Sequence, residues 1–488
     1  MIRNSLLNRK NWDKTAVIDD KKHYSYRDLT QKAIAIGRQL PQKQRRNIAI
    51  FLPNSKNYIA ALFGVIMSGM TAFPLNIQMT SHEIAPLLEQ ADVHTVVTSK
   101  TYRSLFEDII ETVPVQVIYV EELTEPESGA FHRTEDIGVD EPMILLSTSG
   151  TTGKAKIVQL SEKNIASSTF AFIAKMDYEK ITKNEIRVAL GTPFPSAYGL
   201  LILTVCVIKS FPIVVLKEVF TLDMLYKVAE EHKVTHFEGG VSVGLLMEQM
   251  AGRPIPYDIS SFRYFGLAGS QITSDTLKRL TEAYPGIEFW PGYGMSEAGP
   301  LIAKPDKKVN MDKLDSVGTA INCVKIMIDI NGVLTDAPHT TGEIVVKGPN
   351  VMLGYYKNEE ETHKILKEGY LYTGDIGYLD EDGYLYICGR KKNVIIVRGL
   401  NVHAEEVEAC ILNSGLVKDC IVYGETDSLG NEIVCADIIP MTAQVQTDEI
   451  RSYCKDHLAN YKQPQRVKMI DTINKTATGK TERAPEDG

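Results

Sequence analysis

Residues 147–156 read STSGTTGKAK and follow the apolar run Met143–Leu146. Glycines let backbone N–H groups approach a ligand, hydroxyls donate around a curved surface, and ammonium groups offset negative charge. A strand that runs into glycines, hydroxyls and lysines is therefore suited to hold an oxyanion such as a phosphate. A P-loop requires GxxxxGK followed directly by Ser or Thr. Here Gly150 and Gly153 are too close together, and Lys154 is followed by Ala155. The glycine patterns of kinases and of dinucleotide-binding folds are missing as well. On composition alone a solvated, hydroxyl-rich turn is an equally simple reading.

The elements that must position this stretch follow from periodicity. Ser25 is placed to cap a helix whose Leu29, Ala33, Ile36 and Leu40 share one face. Asn47–Leu52, Ala72–Leu75 and His94–Thr98 read as strands; Tyr58–Met67 and a segment opened by Ser81 and Glu83 read as helices. The alternation recurs at Ile213–Leu216, Leu222–Glu231 and Val234–Phe237 and predicts mostly parallel sheets flanked by helices. From about residue 315, short β-rich runs at Val324–Ile330, Gly342–Lys347 and Tyr384–Cys388 are separated by NG, TG and DG turns. These suggest antiparallel strands or a small barrel. After the basic break Gly389–Lys392, helices over Ala404–Leu412 and Asp448–Leu458 and strands over Cys420–Tyr423 and Ile433–Ile439 suffice for a compact unit. The expected fold is α/β: a large body over 1–389 with a β-barrel-like subdomain, and a small mobile α+β domain over 390–488.

With 488 residues, 44% hydrophobic and 24% charged, the chain reads as an ordinary soluble protein of more than one domain. A net charge of −9 argues against nucleic acid as the main partner. The uncharged stretch Val188–Ile208 is broken by Gly191, Pro193, Pro195 and Gly199, which suits buried strand and turn better than a membrane span. Seven cysteines without a CxxC pair, and a first segment with no apolar leader, point to reduced thiols and a cytoplasmic location. The ten histidines have no metal-ligand spacing.

Further stretches sharpen the phosphate reading. YGMSE spans Tyr293–Glu297, GLAGS spans Gly266–Ser270, and GEIVVKGPNVMLGYY spans Gly342–Tyr356. YLYTGD follows at Tyr370–Asp375, GRKKNVIIVRGLNVHAEEVE at Gly389–Glu408 and NKTATGK at Asn474–Lys480. Together with the opening loop, these resemble, in order and over nearly the whole chain, the signatures of the adenylate-forming superfamily of acyl-CoA synthetases, adenylation domains and luciferases. Aligned with the TSGTTGxPKG pattern, Thr148, Ser149, Gly150, Thr151, Thr152 and Gly153 match, and Lys156 takes the lysine position. Ala155 and Ile157 depart from the usual proline and glycine, Ser296 stands for the usual threonine, and Ala404 for a proline.

The resemblance implies an ATP- and Mg²⁺-dependent ligase. It would join a carboxylate to the α-phosphate of ATP, release pyrophosphate, and pass the acyl group to a thiol. The thiol would belong to CoA or, alternatively, to the phosphopantetheine arm of a carrier protein. It assigns the 148–153 hydroxyls and glycines, Lys156 and Ser296 to the phosphates, and Glu297 to Mg²⁺. Gly269, Ser270, Tyr293, Asp375 and Arg390 would hold adenine and ribose. Lys480 is the implied catalytic residue, Lys392 the hinge, and Arg398 and Gly399 would face the thiol. The acid pocket is expected from Ser196, Tyr198, Val241, Ser242, Ala268 and Gly294. Many relatives carry histidine or aspartate where this chain has Ser196; without aspartate there, a simple carboxylic acid is favoured over an α-amino acid, although Glu238 nearby could supply a charge. Small residues around Gly239–Gly244 leave the size of the acid open.

Overall fold

The computed structural model describes residues 2–7, 11–41, 46–125, 137–148, 155–178, 186–217, 220–270, 272–306, 311–397, 400–426 and 432–473. Local signals start the helices where polar caps allow. The Ser25 hydroxyl accepts from the Asp28 amide while the Asp28 carboxylate accepts from the Ser25 amide, and helix Tyr26–Gln39 follows with Leu29, Ala33 and Ile36 buried. Helix Ser81–Gln90 is capped by Thr80 rather than Ser81, again reciprocally with Glu83.

Two seven-stranded sheets form the body. The first runs Glu288–Pro291, Tyr264–Ala268, His236–Gly240, Val188–Leu190, Ile213–Val215, Thr15–Asp19 and Lys22–Ser25. It is parallel except for the final hairpin. The second runs Gly354–Tyr355, Lys156–Ser161, Pro142–Thr148, Thr71–Pro74, Asn47–Phe51, Val93–Thr98 and Gln116–Tyr119. It is antiparallel where Lys156–Ser161 meets its two neighbours and parallel beyond. Helices Tyr26–Gln39, Lys56–Met67, Glu162–Lys175 and Ala197–Lys209 supply much of the largest apolar cluster. Side chains of successive strand residues point to opposite faces. Phe237, Phe265 and Phe289 accordingly enter a second cluster with helices Leu222–His232, Val241–Gln249 and Ser274–Ala283. Their neighbours Tyr264 and Trp290 face the first.

The antiparallel expectation after residue 315 is met by a six-stranded sheet in the order Val333–Thr335, Lys325–Ile330, Gly342–Lys347, Tyr370–Leu379, Leu366–Lys367, with Leu385–Arg390 also on Tyr370–Leu379. Beyond it, the hairpin Val394–Val397 with Leu400–His403, helix Ala404–Asn413 and a three-stranded sheet share a separate cluster that draws on residues from Ile395 onward.

Three local expectations shift. The uncharged stretch is mainly helix: only Val188–Leu190 is strand, and Ala197–Lys209 is a helix, apolar all round because it is buried on all sides. Gly389 and Arg390 still belong to a strand, so the basic turn is Lys391–Asn393. The strand expected at Val234–Phe237 is His236–Gly240, because Lys233 ends the preceding helix in a left-handed conformation and Thr235 is held by Arg187. That shift carries Glu238 into the sheet. No described helix is long and apolar enough to cross a membrane.

Candidate active site

Asp375 is 5% exposed and gathers two of the residues assigned to the ribose side. Its Oδ2 accepts from the Tyr293 hydroxyl at 2.6 Å, and Arg390 Nε stands 2.8 Å from its Oδ1. Asp375 and Arg390 are cross-strand partners, and Tyr293 leaves the end of strand Glu288–Pro291. Burial, then the Asp375 charge, raises the Tyr293 hydroxyl well above its ordinary pKa, so it remains a donor. The loop after Tyr293 is pinned from outside. Asn350 Nδ2 donates to the carbonyls of Ala298 and Leu301, and the Met352 amide to that of Glu297. At Gly294 a Cβ would lie 1.9 Å from the Pro300 carbonyl oxygen, so the loop requires glycine there. Gly269 has φ of +94° and lies exposed with Ser270 after strand Tyr264–Ala268.

Of the residues expected at the phosphates, Thr148 ends one strand and Lys156 begins its antiparallel partner, the two facing each other in register. Ser149, Gly150, Thr151, Thr152 and Gly153 lie outside the described residues. The Lys156 ammonium meets the Glu361 carboxylate and stands 5.2 Å from the centroid of the Tyr355 ring. Tyr355 donates in turn to Glu297 Oε1 at 2.8 Å. Hydrogen bonds from Lys156 and then Lys364 hold the Glu361 carboxyl down at about 2. Ser296 and Glu297 share a single turn, Ser296–Ala298. Among the described residues no cluster of three or more acidic, His or Cys groups could hold a metal by itself. A single tethered carboxylate fits Mg²⁺ that keeps several waters and shares the phosphates of its nucleotide.

The residues assigned to the acid divide into frame and lining. The Ser196 hydroxyl is used as a helix cap, accepting from the Gly199 amide at 3.0 Å and donating to the Pro193 carbonyl at 2.7 Å. The cap sets helix Ala197–Lys209, and Tyr198 in its first turn donates to Glu238 Oε2 at 2.6 Å. A Cβ at Gly266 would lie 1.7 Å from that oxygen, so the carboxylate rests over the glycine. Burial raises the pKa of Glu238, with Lys304 and the Tyr198 hydrogen bond opposing it. Burial likewise lowers that of Lys304, with Glu238 opposing. Val241 is buried and Ser242 exposed at the start of helix Val241–Gln249; Ala268 is half-buried and Gly294 exposed.

Lys392 is exposed on the turn Lys391–Asn393. Lys391 Nζ is 2.7 Å from Glu343, whose other oxygen accepts from the Gly374 amide, and Asn393 donates to Glu405. Arg398, Gly399 and Lys480 lie outside the described residues. Sequence reasoning missed the parts played by Asn350 and Tyr355, although both stand inside a quoted motif, and it missed Glu361 and Lys304 altogether.

The AMP-binding enzyme family matches residues 6–356, and the AMP-binding enzyme C-terminal domain matches 406–480. A long-chain-fatty-acid–CoA ligase of Bacillus subtilis is 30% identical over 516 residues, covering 96% of this chain and 90% of that protein. A 2-succinylbenzoate–CoA ligase of Bacillus cereus is 27% identical over 473 residues, covering 96% of this chain and 94% of that protein. The Bacillus subtilis O-succinylbenzoate coenzyme A synthetase solved with ATP and a magnesium ion superposes with a TM-score of 0.85 at 27% identity, covering 98% of each chain. On these grounds the chain belongs to the AMP-binding enzyme family.

Proposed function

We propose that this protein joins a carboxylic acid to CoA through an acyl-adenylate. It is an acid–thiol ligase; CoA as the acceptor is supported by relatives that are themselves CoA ligases. The observation that carries the reading is Asp375 held between Tyr293 and Arg390, with Glu297 on the same loop as Tyr293 and joined through Tyr355 to Lys156.

In the first step a carboxylate oxygen bonds to the α-phosphorus of ATP while the bond to pyrophosphate breaks. In the second a thiol sulfur bonds to the acyl carbon and AMP leaves. The acid is ionised at neutral pH, so the first step needs no general base. It needs fixed donors and cations where negative charge spreads over the phosphoryl oxygens. Asp375, with two acceptor oxygens, suits the two ribose hydroxyls. Lys156, with the 148–153 loop, holds the departing phosphates, and Ser296 the α-phosphate. Glu297 would hold Mg²⁺, which would supply positive charge against the phosphates. Lys480 bridges the acid and the α-phosphate. The segment from residue 390 onward then turns about Lys392, withdrawing Lys480 and presenting Arg398 and Gly399 to the thiol.

The test is a panel of acids read by pyrophosphate release, with CoA, with a phosphopantetheinyl carrier protein, and with neither. A long-chain fatty acid and 2-succinylbenzoate, the acids of the two relatives, come first. Thioester formation with CoA supports the reading; thioester on the carrier protein alone replaces the acceptor; absence of pyrophosphate release with every acid overturns it.

A further inference from the structure

Leu190, Glu238, Gly266 and Trp290 stand side by side on four adjacent parallel strands of the first sheet. Alternation turns this row toward helix Ala197–Lys209 and away from Phe237, Phe265 and Phe289. The row is sealed: Gly266 is buried, and Leu190, Glu238 and Trp290 are at most 2% exposed. Two residues nearer the carboxyl ends, on the same face, Gly240 and Ala268 are half-buried, as is Gly292 just past strand Glu288–Pro291. Ligands of open parallel sheets enter at the carboxyl ends of the strands. The face is therefore open and lined by small residues at the level of Ala268, and closed at the level of Gly266.

Two polar side chains make that closure. The place a Cβ of residue 266 would take is filled by Glu238 Oε2, and the Tyr198 hydroxyl stands 3.0 Å from it. Tyr198 donates to the same oxygen at 2.6 Å, and burial raises its pKa well above the ordinary value, so it stays a donor. Because Tyr198 belongs to the first turn of helix Ala197–Lys209, this bond ties helix to sheet across the face. On the next strand Trp290 fills the row beside Gly266, stacked on Tyr264 with ring centroids 4.2 Å apart.

The open and closed rows are two residues apart, roughly 7 Å along a strand. An acid that enters beside Ala268 has that depth before it meets the pair. Going further would part Tyr198 from Glu238 and leave a buried carboxylate without its donor, which is costly. One methylene too many for a pocket of fixed depth lowers kcat/KM by roughly 10- to 200-fold.

We propose that Tyr198 and Glu238 form the floor of the acid pocket and set an upper limit on the length of the acid, excluding long alkyl chains. This rests on the reading of the chain as an acid-activating ligase whose acid lies beside Ala268. The pair acts through the space it fills and the hydrogen bond that holds it there. The Glu238 charge makes no contact with the acid.

The test uses straight-chain acids from butanoic to hexadecanoic and para-alkylbenzoic acids from methyl to decyl, read by pyrophosphate exchange with the full-length protein. In each series that supports exchange, wild-type kcat/KM is expected to drop by roughly tenfold or more on adding one methylene, before dodecanoic or para-octylbenzoic acid is reached. E238A is expected to move the drop to a longer acid, because the floor is lowered. E238Q keeps the shape and the bond from Tyr198 and is expected to leave the drop in place. Activity that holds through hexadecanoic or para-decylbenzoic acid in the wild type, or an unmoved drop in E238A, overturns the proposal. The wild-type series stands even where E238A fails to fold. If no acid supports exchange, the ligase reading falls. Calorimetric titration of the same acids then decides on the floor alone: affinity that collapses beyond one length supports it, and affinity that keeps rising with length overturns it.

Discussion

The Tyr293 hydroxyl donates a 2.6 Å hydrogen bond to Asp375, joining two stretches 82 residues apart in the chain. Arg390 binds the other oxygen of the same carboxylate, so Asp375 is oriented from both sides before any ligand arrives. In D375N one of the two oxygens becomes an amide donor, which cannot accept from Tyr293 or from a ribose hydroxyl. The expected result is a rise in KM for ATP of about 10- to 100-fold with a smaller change in KM for the acid. Initial-rate pyrophosphate exchange at varied ATP measures both, and an unchanged KM for ATP removes Asp375 from the nucleotide site.

Glu361 pairs with the Lys156 ammonium. A phosphate that takes Lys156 must first displace this carboxylate. E361Q is therefore expected to bind ATP more tightly, by roughly two- to five-fold, the scale of an ion pair near the surface. Titration of ATP by fluorescence or calorimetry reads the change, and weaker binding would mean that Glu361 supports the site instead of competing for it.

Lys480 is assigned the transition-state contact. K480A is expected to lower adenylation by roughly 10²- to 10³-fold, as when one such donor is removed, while ATP binding changes little. Near-wild-type exchange would reassign the role.

Lys392 tests the turning of the small domain. A pivot must adopt new φ and ψ between rigid bodies, and proline fixes φ. K392P should keep pyrophosphate exchange and lose thioester formation; equal loss of both would place the pivot elsewhere.

His403 gives a pH dependence. It precedes helix Ala404–Asn413, its Nδ1 is buried without a hydrogen-bond partner, and burial holds its pKa below the ordinary histidine value against the pull of Glu406 and Glu405. The unfolded chain then takes up the proton first as pH falls. The stability contributed by neutral His403 is complete above the unfolded value of about 6.5 and is lost as pH drops through the lower folded value. Denaturant unfolding at pH 7.5 and 5.5 should show weakening at the lower pH, with a smaller difference in H403Q.

That Tyr293, Asp375 and Arg390 belong together was legible because they sit in compact motifs, and the Ser25 cap because its signal is local. Other features were hidden for physical reasons. Helix Ala197–Lys209 is apolar all round, so it lacks the stripe that marks a helix, and the preceding prolines and glycines suggested turns. Glu361 belongs to a short acidic helix whose partner Lys156 is 205 residues away. Lys304 opens the charged run KPDKK, which reads as solvated surface; only the fold carries it between Trp290 and Phe172.

The contact between Gly266 and Glu238 bears on how such a protein can change over generations. Any side chain at 266 would strike the Glu238 carboxylate at 1.7 Å, and that carboxylate is held in place by Tyr198. A lineage drifting toward a different acid cannot begin at Gly266, because the first step would dislodge a buried charge. Replacement of Glu238 has to come first, and only then does position 266 become free to vary. The order of ancestral substitutions at this pair is set by the packing, and reconstructed intermediates with a filled 266 and an intact Glu238 should be poorly folded.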